Sequence, residues 1–163
     1  MHITGRLAEL GLALPAPARM PPSVVATFSW VRIVGSRVLV SGHGAQQPNG
    51  SPAGPFGRVP DEVSLTDAQG SARLAALSVI ASVQRAVGDL DRVDAWLTVS
   101  GFVNAAPDYP QTTAVLNAFS EVVLDVFGST IGDHARTAIG VAALPLNLPV
   151  VVAAELQITP PSR

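Results

Sequence analysis

Every one of the ten basic residues in this 163-residue chain is an arginine, and there is no cysteine. Those two facts remove a good deal of chemistry. Without cysteine there is no thiol nucleophile, thiolate metal site or disulfide. Without lysine there is neither a Schiff base nor a P-loop lysine. The three histidines, His2, His43 and His134, are too scattered for metal-ligand spacing, so no metal and no cofactor is expected. Of the common catalytic signatures, G-x-S-x-G, H-E-x-x-H, G-x-G-x-x-G and the calcium loop are all missing. What stands out is Arg136, at the head of the apolar run in "GDHARTAIGVAALPLNLPV". A guanidinium stays charged at any working pH, and burying it unpaired costs several kcal/mol, so it calls for an anion. Asp133 is the nearest acid in sequence. Spacing alone leaves two readings open, an exposed arginine at a strand end and a bidentate clamp for the carboxylate of a small ligand. His43 follows "VSG" at a strand end, where it either lines a pocket or sits partly exposed in a loop. His134, beside Asp133, reads as part of a solvated turn.

Composition narrows the partners. Some 48% of residues are apolar and 13% charged, the profile of a globular chain whose charge-poor surface suits self-association. The formal net charge of −2 supplies no basic field for a polyanion, so nucleic acid is not expected as a partner. The apolar stretch from Ala138 to Ala154 is interrupted by Pro145, Asn147 and Pro149. It falls short of the roughly 20 unbroken residues of a membrane span. The opening residues carry Glu9 and break into prolines, unlike a signal peptide, so the expectation is a cytoplasmic protein with no membrane contact.

The elements that must position Arg136 follow from periodicity. Residues 1–20 read as a short helix over 3–10 and a proline-rich connector, leading into one domain that spans the chain. "TFSWVRIV" and "RVLVSG" form a hairpin about Gly35-Ser36. Residues 44–64, rich in Gly, Pro, Asn and Ser, form a long surface loop. From Thr66 to Val87, Leu74, Leu77, Ile80, Ala81 and Val87 mark one face of a helix that Gly88 stops. "AWLTVSGFVN" is a strand. Asp108 then stands as a cap for a second amphipathic helix that runs to Phe127 and ends at Gly128. Strands over 136–142 and 150–158 close the chain. This order predicts an α+β layer with two helices on one face of a mixed sheet. The other face, apolar because "VVVAAEL" does not alternate, calls for a second subunit to cover it.

"ARTAIGVAALP" resembles the signature of the Rid family (reactive intermediate deaminases, also called the YjgF family and often labelled endoribonuclease L-PSP). "VLVSGHGAQ" and "FVNAAPDYPQTTAVLNAFSEVV" extend the likeness over residues 20 to 158, closest to a longer-chain, uncharacterised subgroup. The resemblance implies a chorismate-mutase-like fold and a homotrimer whose sheets form a central barrel with ligand clefts between subunits. It implies that Arg136 holds the carboxylate of a 2-imino acid, assisted by the backbone N–H of Ala138. Ser41 and Gly42 match the cleft wall. Phe28 stands where many members have tyrosine, and Thr113 where some have asparagine. The glutamate that orients the attacking water in deaminating members is matched by Val151, which can neither accept nor donate a proton. Glu155 lies on the same strand face, but about 13 Å along the strand. The functions implied are a weak or altered imine deaminase, releasing ammonia and a 2-oxo acid, or a non-catalytic trimeric binder of small carboxylates. The endoribonuclease label finds little support, because cleaving RNA needs cations beside phosphate that this acidic chain lacks.

Overall fold

A computed structural model describes residues 2–160. In chain order the elements are α1 (Ile3–Glu9), β1 (Val31–Val34), β2 (Arg37–His43), α2 (Leu65–Val87), β3 (Val93–Asn104), α3 (Thr112–Ile131), β4 (Ala135–Val141) and β5 (Val150–Ile158). They make an α+β fold with one five-stranded sheet in the order β1-β2-β5-β3-β4. Only β3 and β4 are parallel, joined through α3, and β4 forms an edge.

Alternation sets the two faces of the sheet. Along β5, Val150, Val152, Ala154, Leu156 and Ile158 are buried under the helices, while Val151, Ala153 and Glu155 face the opposite way and are half-buried. That open face is mixed, with the exposed apolar side chains Val34, Leu39 and Ile139 set among polar ones. Thr98, Ser100, Arg32 and Glu155 stand there among Leu39 and Ala153, around a shallow groove of about 610 Å³.

The helices are packed through small residues. On α2 the buried face is built from Ala68, Ala72, Ala75, Ala76, Val79, Ile80 and Val83, while Leu74, expected inside, is 37% exposed. Ser64 caps this helix by accepting from the Asp67 N–H at 3.1 Å. Helix α3 buries Leu116, Phe119, Val123 and Phe127, and Trp96 from β3 meets both phenyl rings edge-on at 6.2 and 5.5 Å. Gly101 permits this approach, since a Cβ there would lie 2.4 Å from Leu116 Cδ1. By length and composition α3 could cross a membrane, but its apolar side is committed to the core.

Gly128 ends the main run of α3 as expected, at φ 76° and ψ 168°, and a separate short turn of helix follows to Ile131. Three expectations need correction. Asp108 is not its cap, having φ 63° in the preceding turn, while Gln111 occupies the cap position without a side-chain bond. The 44–64 loop is not simply a surface segment, because Ala45, Ala53, Val59 and Val63 are buried and Val59 bridges to Ala105. In the hairpin, residues 27–30 lie outside the strand, which starts at Val31.

Candidate functional site

Arg136 sits on the edge strand β4, opposite Val99 of β3, so its side chain rises on the helix-covered face. There α3 presents a polar stripe beside its buried apolar face. Thr113, Asn117 and Ser120 recur at i, i+4 and i+7, the spacing of one helical face. Arg136 Nη1 donates to Ser120 Oγ at 2.8 Å and Nη2 to Asn117 Oδ1 at 2.8 Å. A longer contact of 3.5 Å reaches the Thr113 carbonyl, not its side chain. All three acceptors are neutral. Asp133 does not pair with Arg136, and among the described residues no carboxylate lies within ion-pair distance of it. Partial burial pulls the guanidinium's pKa below its usual value, and the group remains charged.

Behind Ser120 lies a second support. His134 Nδ1 is 2.6 Å from the Gly132 carbonyl, so it carries the proton, and Nε2 is the acceptor for Ser120 Oγ at 2.9 Å. His134 is therefore half-buried and fully bonded, not part of a solvated turn. The same motif recurs across the sheet. His43, 3% exposed, bonds the Ser41 carbonyl through Nδ1 at 2.5 Å and Ser82 Oγ through Nε2 at 2.8 Å. Ser82 in turn accepts from Arg85 Nη2 at 3.1 Å. Burial lowers the His43 pKa, the Ser41 carbonyl opposes that, and the Arg85 charge lowers it further. The loop reading of His43 is thus overturned.

The other matched residues lie elsewhere. Ser41, half-buried on the open face, donates Oγ to the Ser29 carbonyl at 2.7 Å. Phe28 is 53% exposed and packs edge-on against Trp30 with centroids 5.0 Å apart. Gly42 lies against Val151, whose Cγ1 would be 2.7 Å from a Cβ at position 42. Ala138 is half-buried on β4, its carbonyl accepting from Thr112 Oγ1 at 3.0 Å. Glu155 is engaged with Arg37, whose Nε donates to Oε1 at 2.7 Å.

These residues form two groups. Arg136 and Ala138 belong to β4 at one sheet edge, with Thr113 of α3 beside them. Phe28, Ser41, Gly42 and Val151 gather around the end of β2. From β4 to β2 is three strand spacings, roughly 14 Å, before any difference of face is counted. One chain does not bring the two groups together.

No protein-family model matches the chain. It is 36% identical over 158 residues to Protein TCP17 of Trypanosoma cruzi, covering 96% of this chain and 94% of that protein. A putative endoribonuclease from Shewanella oneidensis superposes with a TM-score of 0.87 at 25% identity, covering 97% of this chain and all of that one. RidA from an Antarctic Psychrobacter superposes at 0.54 with 25% identity over 84% of this chain and 93% of its own. This chain belongs to the Rid family.

Within this Rid chain, sequence reasoning missed Asn117 and Ser120, the residues that hold Arg136. The signal was present as three polar residues at the spacing of one helical face. It also missed Gln46, which is buried at 9% exposure with its Oε1 unpartnered. Nothing in the loop composition marks that residue. Among the described residues no group of His, Asp and Glu is arranged to hold a metal.

Proposed function

We propose that this Rid protein binds small carboxylates through Arg136, in clefts completed by a second copy of the chain. A single observation carries the reading. Arg136 is half-buried, fixed by Asn117 and Ser120, and has no counter-ion among the described residues. An arginine kept in place by neutral acceptors retains its full charge for an incoming anion, with two of its five N–H bonds uncommitted. The division of the matched residues into two groups supports assembly, because Phe28, Gly42 and Val151 can join an Arg136 only across a subunit boundary. The open sheet face is available for such contact, and a homotrimer is the assembly the family resemblance implies.

The chemistry at this cleft is reduced. Val151 offers no acid to orient water, and Glu155, the one carboxylate on the same strand face, is already paired with Arg37. Losing a general acid–base group costs about 10²- to 10⁴-fold in rate. We therefore place binding first and imine hydrolysis second, the latter as a slow reaction in which Arg136 and the Ala138 N–H orient a 2-imino acid for unassisted water.

The test is calorimetric titration of the chain with a panel of 2-oxo acids, beside ammonia release from freshly generated 2-aminoacrylate. Saturable binding that Arg136→Ala abolishes, with only trace ammonia, is the expected result. Absence of any Arg136-dependent ligand would end the carboxylate reading, and fast ammonia release would reverse the order of the two activities. Sedimentation equilibrium should give three times the chain mass.

A further inference from the structure

The relay that holds Arg136 has a counterpart on the other long helix. His43 and His134 each bond, through Nδ1, the carbonyl two residues earlier in the chain, and each meets a helix serine through Nε2. Both serines accept from an arginine, Ser120 from Arg136 Nη1 at 2.8 Å and Ser82 from Arg85 Nη2 at 3.1 Å. Arg85 thus stands to Ser82 and His43 as Arg136 stands to Ser120 and His134. Its support is deeply buried, with His43 3% and Ser82 6% exposed, while Arg85 itself reaches the surface. Burying a histidine and a hydroxyl costs free energy unless their polar atoms are bonded, and the chain of bonds that satisfies them ends on this guanidinium.

A second bond completes the hold. Arg85 Nη1 donates to the Pro15 carbonyl of the N-terminal connector at 3.1 Å. The connector is itself fastened, since Ala16 N donates to the Pro48 carbonyl and Arg19 N to the Gly50 carbonyl, both at 2.9 Å. Gly50, at φ 89°, lies so close that a Cβ would be 2.0 Å from the Pro17 carbonyl oxygen. Proline-rich segment and long loop, unrelated in the sequence reading, therefore build one wall together. Between that wall and α2, at the β1 edge of the sheet, runs an open groove of about 300 Å³. Arg85 and Ser82 line it, and the rest of its lining is apolar, with Pro17, Trp30 and Val31 among it. The volume is at the lower end of small-molecule sites, roughly 300–1,000 Å³.

Both acceptors of Arg85 are neutral, and among the described residues no carboxylate lies within ion-pair distance of it. These two bonds leave three of its five N–H groups uncommitted. A surface arginine ordinarily loses rotamer freedom when it binds, whereas this one is already oriented. Partial burial lowers its pKa and does not remove the charge. Arg85 also lies in the last turn of α2, where the carbonyl ends carry partial negative charge. One cation in that field suits a single negative charge better than a doubly charged phosphate. We propose that this groove is a second binding site, for a small monocarboxylate whose charged end sits on Arg85 and whose apolar body lies against Trp30. It stands at the sheet edge opposite the one that carries Arg136, and it does not depend on the Arg136 reading.

The experiment titrates Arg136→Ala, in which the other anchor is gone, with phenylacetate and with its uncharged analogue phenylacetamide. Saturable binding of phenylacetate is expected, with the amide at least about tenfold weaker, the scale of one hydrogen bond to a charged group. Adding Arg85→Gln to that chain should abolish phenylacetate binding. Arg85→Gln also frees the connector, so a second readout uses the unaltered chain: the Arg85 Nε–H resonance should shift saturably with phenylacetate. No saturable binding to Arg136→Ala, equal affinity for the amide, or binding that survives Arg85→Gln overturns the assignment. A stationary Arg85 resonance overturns it too, as does inorganic phosphate binding there more tightly than phenylacetate.

Discussion

Ser120 Oγ stands 2.8 Å from Arg136 Nη1 and 2.9 Å from His134 Nε2, so one hydroxyl accepts from the arginine and donates to the histidine. A hydroxyl can do both at once, and the direction of the chain is set by the Gly132 carbonyl at its far end. The guanidinium is thereby given a fixed orientation at the edge of the sheet, where an isolated arginine would lose rotamer entropy on every binding event.

Ser120→Ala should therefore weaken carboxylate binding by about tenfold, the scale of one hydrogen bond to a charged group. The melting temperature should move little, because the site is near the surface. Calorimetry with the best 2-oxo acid measures the first quantity and a thermal melt the second. Arg136→Lys should behave like Arg136→Ala, since an ammonium cannot bridge Ser120 and Asn117 in the planar arrangement the guanidinium uses.

Val151→Glu should raise ammonia release from 2-aminoacrylate, by about 10²-fold or more if a general acid–base group is what the cleft lacks. Val151 is half-buried against Gly42, so a carboxylate there keeps access to solvent. A variant that folds and binds 2-oxo acids but stays at the unassisted rate would show that the missing glutamate is not the limiting loss.

Stability should fall on acidification between about pH 7 and pH 5. His43 has a folded-state pKa below its unfolded value of about 6.5, chiefly because burial disfavours the cation, with Arg85 adding repulsion. Its neutral form is favoured in the fold, so the contribution is complete above the unfolded pKa and declines as pH drops towards the folded one. The measurement is the midpoint of urea unfolding against pH. His43→Gln should be less stable at pH 7 and should have a flatter profile across that window.

Gly50→Ala should destabilise the protein by about 2 kcal/mol or more, through a strained positive φ and a clash with the Pro17 carbonyl. Protease susceptibility of the connector around Pro15 should rise with it. An unchanged melting temperature would mean that the connector is not held by this contact.

Reading the chain alone located β5 to the residue and both long helices to within a few positions, because their apolar periodicity is strong and local. It also singled out Arg136 and Val151, since a lone arginine before an apolar strand and an apolar residue at a matched catalytic position are visible without coordinates. What it could not supply was pairing across distance. Whether Arg136 met Asp133 or solvent depended on how α3 lies along β4, and only that packing brings Asn117 and Ser120 to the guanidinium. The wall formed by the proline-rich connector and Gly50 depends on contacts between segments some 30 residues apart, and proline or glycine content does not encode such a contact. The division of the matched residues between the edge strand β4 and the neighbourhood of the inner strands β2 and β5 follows from the strand order β1-β2-β5-β3-β4, which places β4 three strand spacings from β2. Local sequence sets which elements form. The long-range pairing of strands, decided by burying both helices on one face, sets which residues can share a site.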